Sequence, residues 1–241
     1  MSYDDVEEAQ LYDVQNPWGR SDEFYLRLVR AAGDVLDVGC GTGTLLKRAQ
    51  RDGHRGRLVG LDPGSGMLTV ARAQPGIDWV PGTLAPGAYD REFDLVTMTG
   101  HAFQELRTDG AIAATLAGMH SALRPGGQAV FDTRNPATSP WRNWDGAAFE
   151  VTYRAAKIRT SYAVLAVDGD LVTFTETLDG GPWHHHVQPA TLRFLSRPDL
   201  DRFLTAAGLA VETYYGDWDG SPLTDHSPEI ITVARRPTTP D

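Results

Sequence analysis

The residues best placed to do chemistry lie in the run Val35-Leu36-Asp37-Val38-Gly39-Cys40-Gly41-Thr42-Gly43. A short apolar strand carries an acid and passes into three glycines at alternate positions. Glycine permits positive φ in a tight turn and lets backbone approach a ligand closely. A nicotinamide or flavin site uses G-x-G-x-x-G. Counted from Gly39, its last glycine falls on Thr44; counted from Gly41, it falls on Leu46, so both readings fail. Asp37 stands two residues before the first glycine. A carboxylate there repels a pyrophosphate and suits a ligand that carries an ammonium group. Asp62 closes the next apolar run, nineteen residues past Gly43. At the end of a second strand, a carboxylate can accept both hydroxyls of a ribose.

Further candidates follow the later apolar runs. Thr99 and His101 come directly after Phe93-Asp94-Leu95-Val96-Thr97-Met98, and such strand ends face the crevice where ligands bind. An unperturbed histidine titrates near neutrality, which makes His101 a candidate. It can act as a base or position an acceptor; alternatively, it only touches a cofactor at a helix start. Arg134 follows the fifth run, with Trp141 just beyond it on the same rim. Its guanidinium can clamp a carboxylate or phosphate as a fork, or hold a structural ion pair. His184-His185-His186 sits in a strand-like stretch, where only His184 and His186 share a face. Two histidines without a nearby Cys or acid make a poor metal site, so no metal is expected. They read as a polar substrate wall or as a solvated strand.

These residues need a scaffold, and the pattern supplies one. Arg57–Leu61, Ile77–Val80, Phe93–Met98 and Gln128–Asp132 read as strands, separated by helical stretches at Met67–Ala73 and Gly110–Leu123. Arg124-Pro125-Gly126-Gly127 then breaks the second of these helices. Strands alternating with helices imply a parallel sheet with right-handed crossovers. From residue 147 the texture changes to Val, Thr, Tyr and Phe, with turn signals at Asp168-Gly169 and Gly180-Gly181-Pro182. That predicts an antiparallel insertion of three or four strands. A capped helix from Ser196-Arg197-Pro198-Asp199 and two strands, Leu209–Tyr215 and Ile230–Arg235, then close the sheet. The expected organisation is one domain over 1–146 and 196–236, interrupted by a β insertion over 147–195.

Composition narrows the function classes. With 241 residues, 41% apolar content and six tryptophans, the chain can bury a substantial core. Its net charge of −10 argues against extended contact with nucleic-acid phosphates. The single cysteine, Cys40, cannot form an intrachain disulfide, which points to a reducing compartment; in the glycine run it reads as a small residue that fits. No apolar run approaches membrane-spanning length, and the acidic start of the chain does not read as a signal peptide. A cytoplasmic protein, monomeric or homodimeric, is expected.

The run 35–43 resembles motif I of the class I S-adenosylmethionine-dependent methyltransferases. Asp62, Gly64-Ser65-Gly66-Met67-Leu68, Phe93-Asp94-Leu95-Val96 and Leu123-Arg124-Pro125-Gly126-Gly127 match further family stretches. The resemblance implies a doubly wound, Rossmann-like α/β fold. Its seven-stranded sheet is mostly parallel, with the last strand antiparallel, and here it carries an inserted antiparallel β-sheet. S-adenosyl-L-methionine is the implied cofactor. Asp37 then faces its methionine end, Asp62 its ribose and Met67 its adenine, and Gly39, Gly41, Gly43 and Thr99 also contact it. Gly82 and Thr83 stand where the family usually places Gly-Asp near the adenine amine, so the acid is missing. Tyr12 and Trp18 are candidates for a lid over the cofactor, or else anchor the following helix. The nearest architecture is that of bacterial amino-sugar N-methyltransferases, which implies methylation of a nitrogen or oxygen of a small metabolite. A peptide, protein or RNA acceptor, or a non-catalytic binding domain, are the alternatives. The insertion, with Trp183 and His184 and His186 (or else His185) facing inward, is expected to roof the acceptor pocket; pairing with a second subunit is the competing use.

Overall fold

The computed structural model describes residues 3–238. In chain order the elements are α1 (Val6–Gln15), α2 (Arg20–Ala31), β1 (Val35–Val38), α3 (Thr44–Arg51), β2 (Leu58–Asp62), α4 (Ser65–Ala71), β3 (Asp78–Pro81), β4 (Phe93–Met98), α5 (Asp109–Ala122) and β5 (Leu123–Arg134). Strands β6 (Ala148–Tyr153), β7 (Ala156–Asp168), β8 (Leu171–Gly180) and β9 (Trp183–Arg193) follow, then α6 (Arg197–Ala206), β10 (Ala210–Tyr215) and β11 (Glu229–Arg235).

Every residue of β1 and β2 is buried. Strands apolar on both faces belong inside a sheet covered by helices on both sides. The sheet order is β10-β11-β5-β4-β1-β2-β3, and β11 runs antiparallel to both its neighbours. One core layer joins Leu36, Val96 and Phe131 to α5 and α6 through Ile112, Leu116, Leu200 and Leu204. The other joins Val35, Leu95 and Val130 to α2 and α3 through Leu26, Val29, Leu45 and Leu46. Strand order reverses between β1 and β4, so the carboxyl ends of β1, β2, β4 and β5 open on one crevice.

The helix expected to stop before Arg124–Gly127 does stop there, at Ala122, and the Pro-Gly-Gly segment itself is taken into β5. Pairing slips from Phe93↔Leu123 to Leu95↔Gln128. Gly126 adopts φ +84, and its N–H reaches Arg236 O at 2.8 Å. The Pro-Gly-Gly sequence thus makes an irregularity near the start of the strand.

The insertion is a separate four-stranded antiparallel sheet, β6-β7-β8-β9. On β8, Val172, Phe174, Glu176 and Leu178 are buried and alternate with partly exposed neighbours. The sheet packs on α1, where Leu11 meets Tyr153, Ile158, Leu178 and Trp183. Helix α1 also lies along α4: Met67 N donates to Tyr3 O at 3.1 Å, and Ser65 N donates to Asp4 Oδ1 at 2.9 Å. Asp5 caps α1 by accepting from Glu8 N at 2.9 Å.

Strand β9 departs from simple alternation at its histidines. Trp183 pairs with Gly180 and His186 with Leu178, so three steps on β9 match two on β8. His185 takes up the extra residue with φ +49. A bulge of this kind breaks the two-residue side-chain period, and all three histidines are exposed.

Candidate active site

Asp37 lies at the centre of the parallel sheet and is 1% exposed. Thr97 Oγ1 of β4 donates to Asp37 Oδ1 at 2.8 Å. Burial pushes the Asp37 carboxyl up to about 7, and the nearby Asp62 and Asp132 push the same way. A carboxylate held this far from water gains most from a cation brought beside it. Above it Gly39, Gly41 and Gly43 all take positive φ. At Gly43 the requirement is double, since a Cβ there would also overlap the Trp79 ring. That ring covers Gly60 of β2 as well, so Trp79 holds the glycine turn against the sheet.

Asp62 fastens the other side of the turn. Its Oδ2 accepts from Gly41 N and its Oδ1 from Gly64 N, each at 2.7 Å. Each oxygen keeps a second acceptor site, which leaves room for a vicinal diol. Met67 is buried beside the same turn; a Cβ on Gly41 would stand 3.9 Å from its Sδ. At the end of β3, Gly82 N donates to Asp62 O at 3.0 Å, and Thr83 is exposed. A buried acid for an ammonium, a diol acceptor and a glycine turn make a donor set that fits S-adenosylmethionine.

Residues of the N-terminal segment reach this crevice unequally. Asp13 accepts from Thr42 Oγ1 at 2.5 Å, tying the end of α1 to the glycine turn. Tyr12 lies over Gly100, where a Cβ would stand 3.8 Å from the phenol oxygen. Trp18 lies elsewhere. Its Nε1 donates to Glu23 Oε1 at 2.6 Å and the Arg48 guanidinium lies 5.0 Å from its ring, so it packs on α2 and α3. With Trp218 it lines a surface cavity of about 440 Å³ whose walls include none of the strand-end groups.

Past β4, Thr99 and Gly100 lead to His101, whose backbone is left-handed at φ +61. Asp132 of β5, fully buried, enforces this. Its Oδ2 accepts from His101 N at 2.9 Å and its Oδ1 from Tyr25 OH at 2.5 Å. The imidazole Nε2 stands 2.9 Å from Glu229 Oε2 and 3.6 Å from Asp132 Oδ2. Burial, helped by Arg134, pulls His101 down to about 4. Burial likewise pushes Glu229 up to about 7. No sequence motif singles out Glu229. A signal existed: an antiparallel final strand must begin beside the end of β5, and Glu229 pairs with Arg134.

Arg134 donates Nη1 to Gln104 Oε1 at 2.9 Å and lies 5.0 Å from the Trp144 ring. Trp144 in turn meets Phe174 of β8 at 5.2 Å, so this stack joins the core domain's rim to the insertion. Trp141 packs on Phe194 at 4.9 Å, beside the stack. On the insertion's inner face, Tyr162 OH donates to Glu176 Oε1 at 3.3 Å. His101, Asp132, Arg134, Glu229, Tyr12, Tyr162 and Glu176 are therefore gathered between the strand ends and the insertion. Trp183 and His184 are not. Trp183 is 7% exposed in the cluster that docks α1, because its side chain is the last inward one before the bulge. His184 points to solvent, and His186 reaches Glu8 Oε1 of α1 at 3.2 Å.

Comparison with known proteins agrees with this geometry. A family profile described as "Methyltransferase domain" matches residues 35–127. The chain is 29% identical over 211 residues to the cypemycin N-terminal methyltransferase of a Streptomyces species, covering 84% of this chain and 82% of that one. It is 27% identical over 241 residues to the dTDP-3-amino-3,4,6-trideoxy-alpha-D-glucopyranose N,N-dimethyltransferase of Streptomyces venezuelae, covering 91% and 97%. Among solved structures, the S-adenosylmethionine-bound amino pentose methyltransferase CalS10 of Micromonospora echinaspora superposes with a TM-score of 0.73 at 24% identity. It covers 95% of this chain and 96% of that one, a likeness of fold.

Proposed function

We propose that this chain, which belongs to the class I S-adenosylmethionine-dependent methyltransferases, methylates an amine nitrogen of a small metabolite. The cofactor supplies a methyl group on a positively charged sulfur. Asp37 holds the cofactor's ammonium, Asp62 its ribose hydroxyls, and the glycine turn its backbone-facing side, with Met67, Gly82 and Thr83 at the adenine end. Tyr12 and α1 cover it, and the insertion over 147–195 caps the acceptor.

The observation that carries the amine reading is the composition of the acceptor side. His101, Asp132, Glu229, Tyr12, Tyr162 and Glu176 offer acids, phenols and an imidazole. Arg134, on the same rim, is engaged by Gln104 and Trp144. Such a set favours an acceptor that arrives as an ammonium ion and must lose a proton before it can attack. Aligning that nitrogen and excluding water are the remaining tasks. A peptide N-terminus is the second reading, since one relative is named an N-terminal methyltransferase; its chemistry is also that of an amine.

The test offers methyl-labelled cofactor with three acceptors: an amino-sugar nucleotide, its hydroxyl counterpart and a short peptide with a free N-terminus. Label in the amino sugar supports the first reading and label in the peptide the second. Label in the hydroxyl compound alone overturns both.

A further inference from the structure

We propose that Glu229 is the positioning partner of His101, accepting the Nε2–H so that Nδ1 is the atom that takes the acceptor's proton. Three observations carry this. Glu229 Oε2 lies 2.9 Å from His101 Nε2. Asp132 accepts from the His101 backbone N–H, so the residue is held at its backbone as well as at Nε2. Nδ1 makes no hydrogen bond among the described residues. A histidine whose one nitrogen is bound to a carboxylate has its tautomer and orientation set by that bond.

The proposal rests on the amine reading above. In the step it describes, one N–H bond of the bound ammonium breaks and its electron pair stays on nitrogen. The proton is bound at His101 Nδ1. The imidazolium charge is balanced by the Glu229 carboxylate, and the proton passes to water after the methylated product leaves. No other reactant is needed.

The groups that face this pair come from every adjoining element. Asp132 and Arg134 lie on β5, Tyr12 on α1, Tyr25 on α2, and Asp217 after β10. Arg134 disfavours a charged imidazole and favours a charged Glu229; Asp132 favours the imidazolium, and Asp217 opposes the Glu229 carboxylate. The pair titrates as one unit. It becomes competent when Glu229 gives up its proton, which also frees Nδ1.

Two measurements test this. Nitrogen chemical shifts of His101 in the cofactor-free wild type should show the Nε2–H tautomer above neutrality. They should also show a transition near pH 7 that disappears in Glu229→Gln. The same variant should lose about 10²-fold in kcat, with the acceptor KM within about twofold, and its kcat should no longer rise through pH 7. Glu229→Asp should restore part of both. An Nδ1–H tautomer at pH 8 overturns the proposal with no variant required. So does a Glu229→Gln enzyme whose kcat falls equally at every pH while the His101 shifts stay put. If the shifts behave as stated but no amine is methylated, the pairing stands and the amine reading falls.

Discussion

Thr97 Oγ1 donates to Asp37 Oδ1 across the β1–β4 pair at 2.8 Å, a side-chain hydrogen bond to a carboxylate that is 1% exposed. The bond is insufficient to hold the charge, since burial still pushes Asp37 up to about 7. Between the unfolded carboxylate value near 4 and about 7, the folded chain keeps a proton that the unfolded chain has released. This group therefore lowers stability as pH rises through that window, and the loss levels off above it. Asp37→Asn keeps the shape and removes the charge. It should stabilise the cofactor-free protein at pH 8 by on the order of 2–4 kcal/mol, and by little at pH 4. Cofactor binding should weaken at least tenfold in the same variant. Denaturant unfolding at both pH values, with calorimetry, checks both halves; a variant less stable at pH 8 contradicts the argument.

Asp62 should separate binding from chemistry. Its two oxygens accept Gly41 N–H and Gly64 N–H, so an alanine would orphan two loop donors as well as the ribose. Asn is the better probe, because it keeps one acceptor oxygen and the volume. Asp62→Asn should weaken binding of the demethylated cofactor by about 10²-fold, from charge-assisted bonds worth roughly 1.5–3 kcal/mol each. Calorimetry needs no acceptor; unchanged affinity would remove Asp62 from the ribose site.

Arg134 probes the join between rim and insertion. Its planar group both donates to Gln104 and stacks on Trp144, and a lysine can do only one of these at a time. Arg134→Lys should therefore raise the acceptor KM by about tenfold while cofactor affinity holds. Steady-state kinetics at saturating cofactor reads this directly. A change confined to cofactor affinity would place Arg134 with the other ligand.

What was legible in the sequence was local or buried. The strand Phe93–Met98 and the acids Asp37 and Asp62 are announced by apolar runs and glycine spacing within a few residues. A buried parallel strand has one periodicity and few rivals. Helix α1 was not legible as a helix. Its sequence, Val6-Glu-Glu-Ala-Gln-Leu-Tyr-Asp-Val-Gln15, lacks an apolar stripe because α4 packs on one side and the insertion on another. Glu229 was missed for a different reason. It meets His101 across 128 residues of chain, and only the antiparallel placement of β11 brings them together. The histidine run misled because alternation presumes a regular strand, and the bulge at His185 removes that regularity.

The bulge gives the last prediction, a contrast between neighbours on β9. Trp183 precedes it and is buried with Leu11, Tyr153, Ile158 and Leu178. Trp183→Ala should cost about 3–5 kcal/mol, the usual range for emptying a large aromatic site. Because Leu11 belongs to α1, the loss should also loosen the helix that reaches Gly100 through Tyr12 and Thr42 through Asp13. Cofactor affinity should fall along with stability. His184→Ala, one residue on and exposed, should stay within about 0.5 kcal/mol of wild type and leave acceptor kinetics unchanged. Thermal unfolding, calorimetry and acceptor KM on the two variants separate these outcomes. If His184→Ala raises the acceptor KM while Trp183→Ala leaves stability intact, Trp183 faces solvent and His184 faces inward. The roof of the acceptor pocket would then lie along the histidines rather than at Tyr162, Phe174 and Glu176.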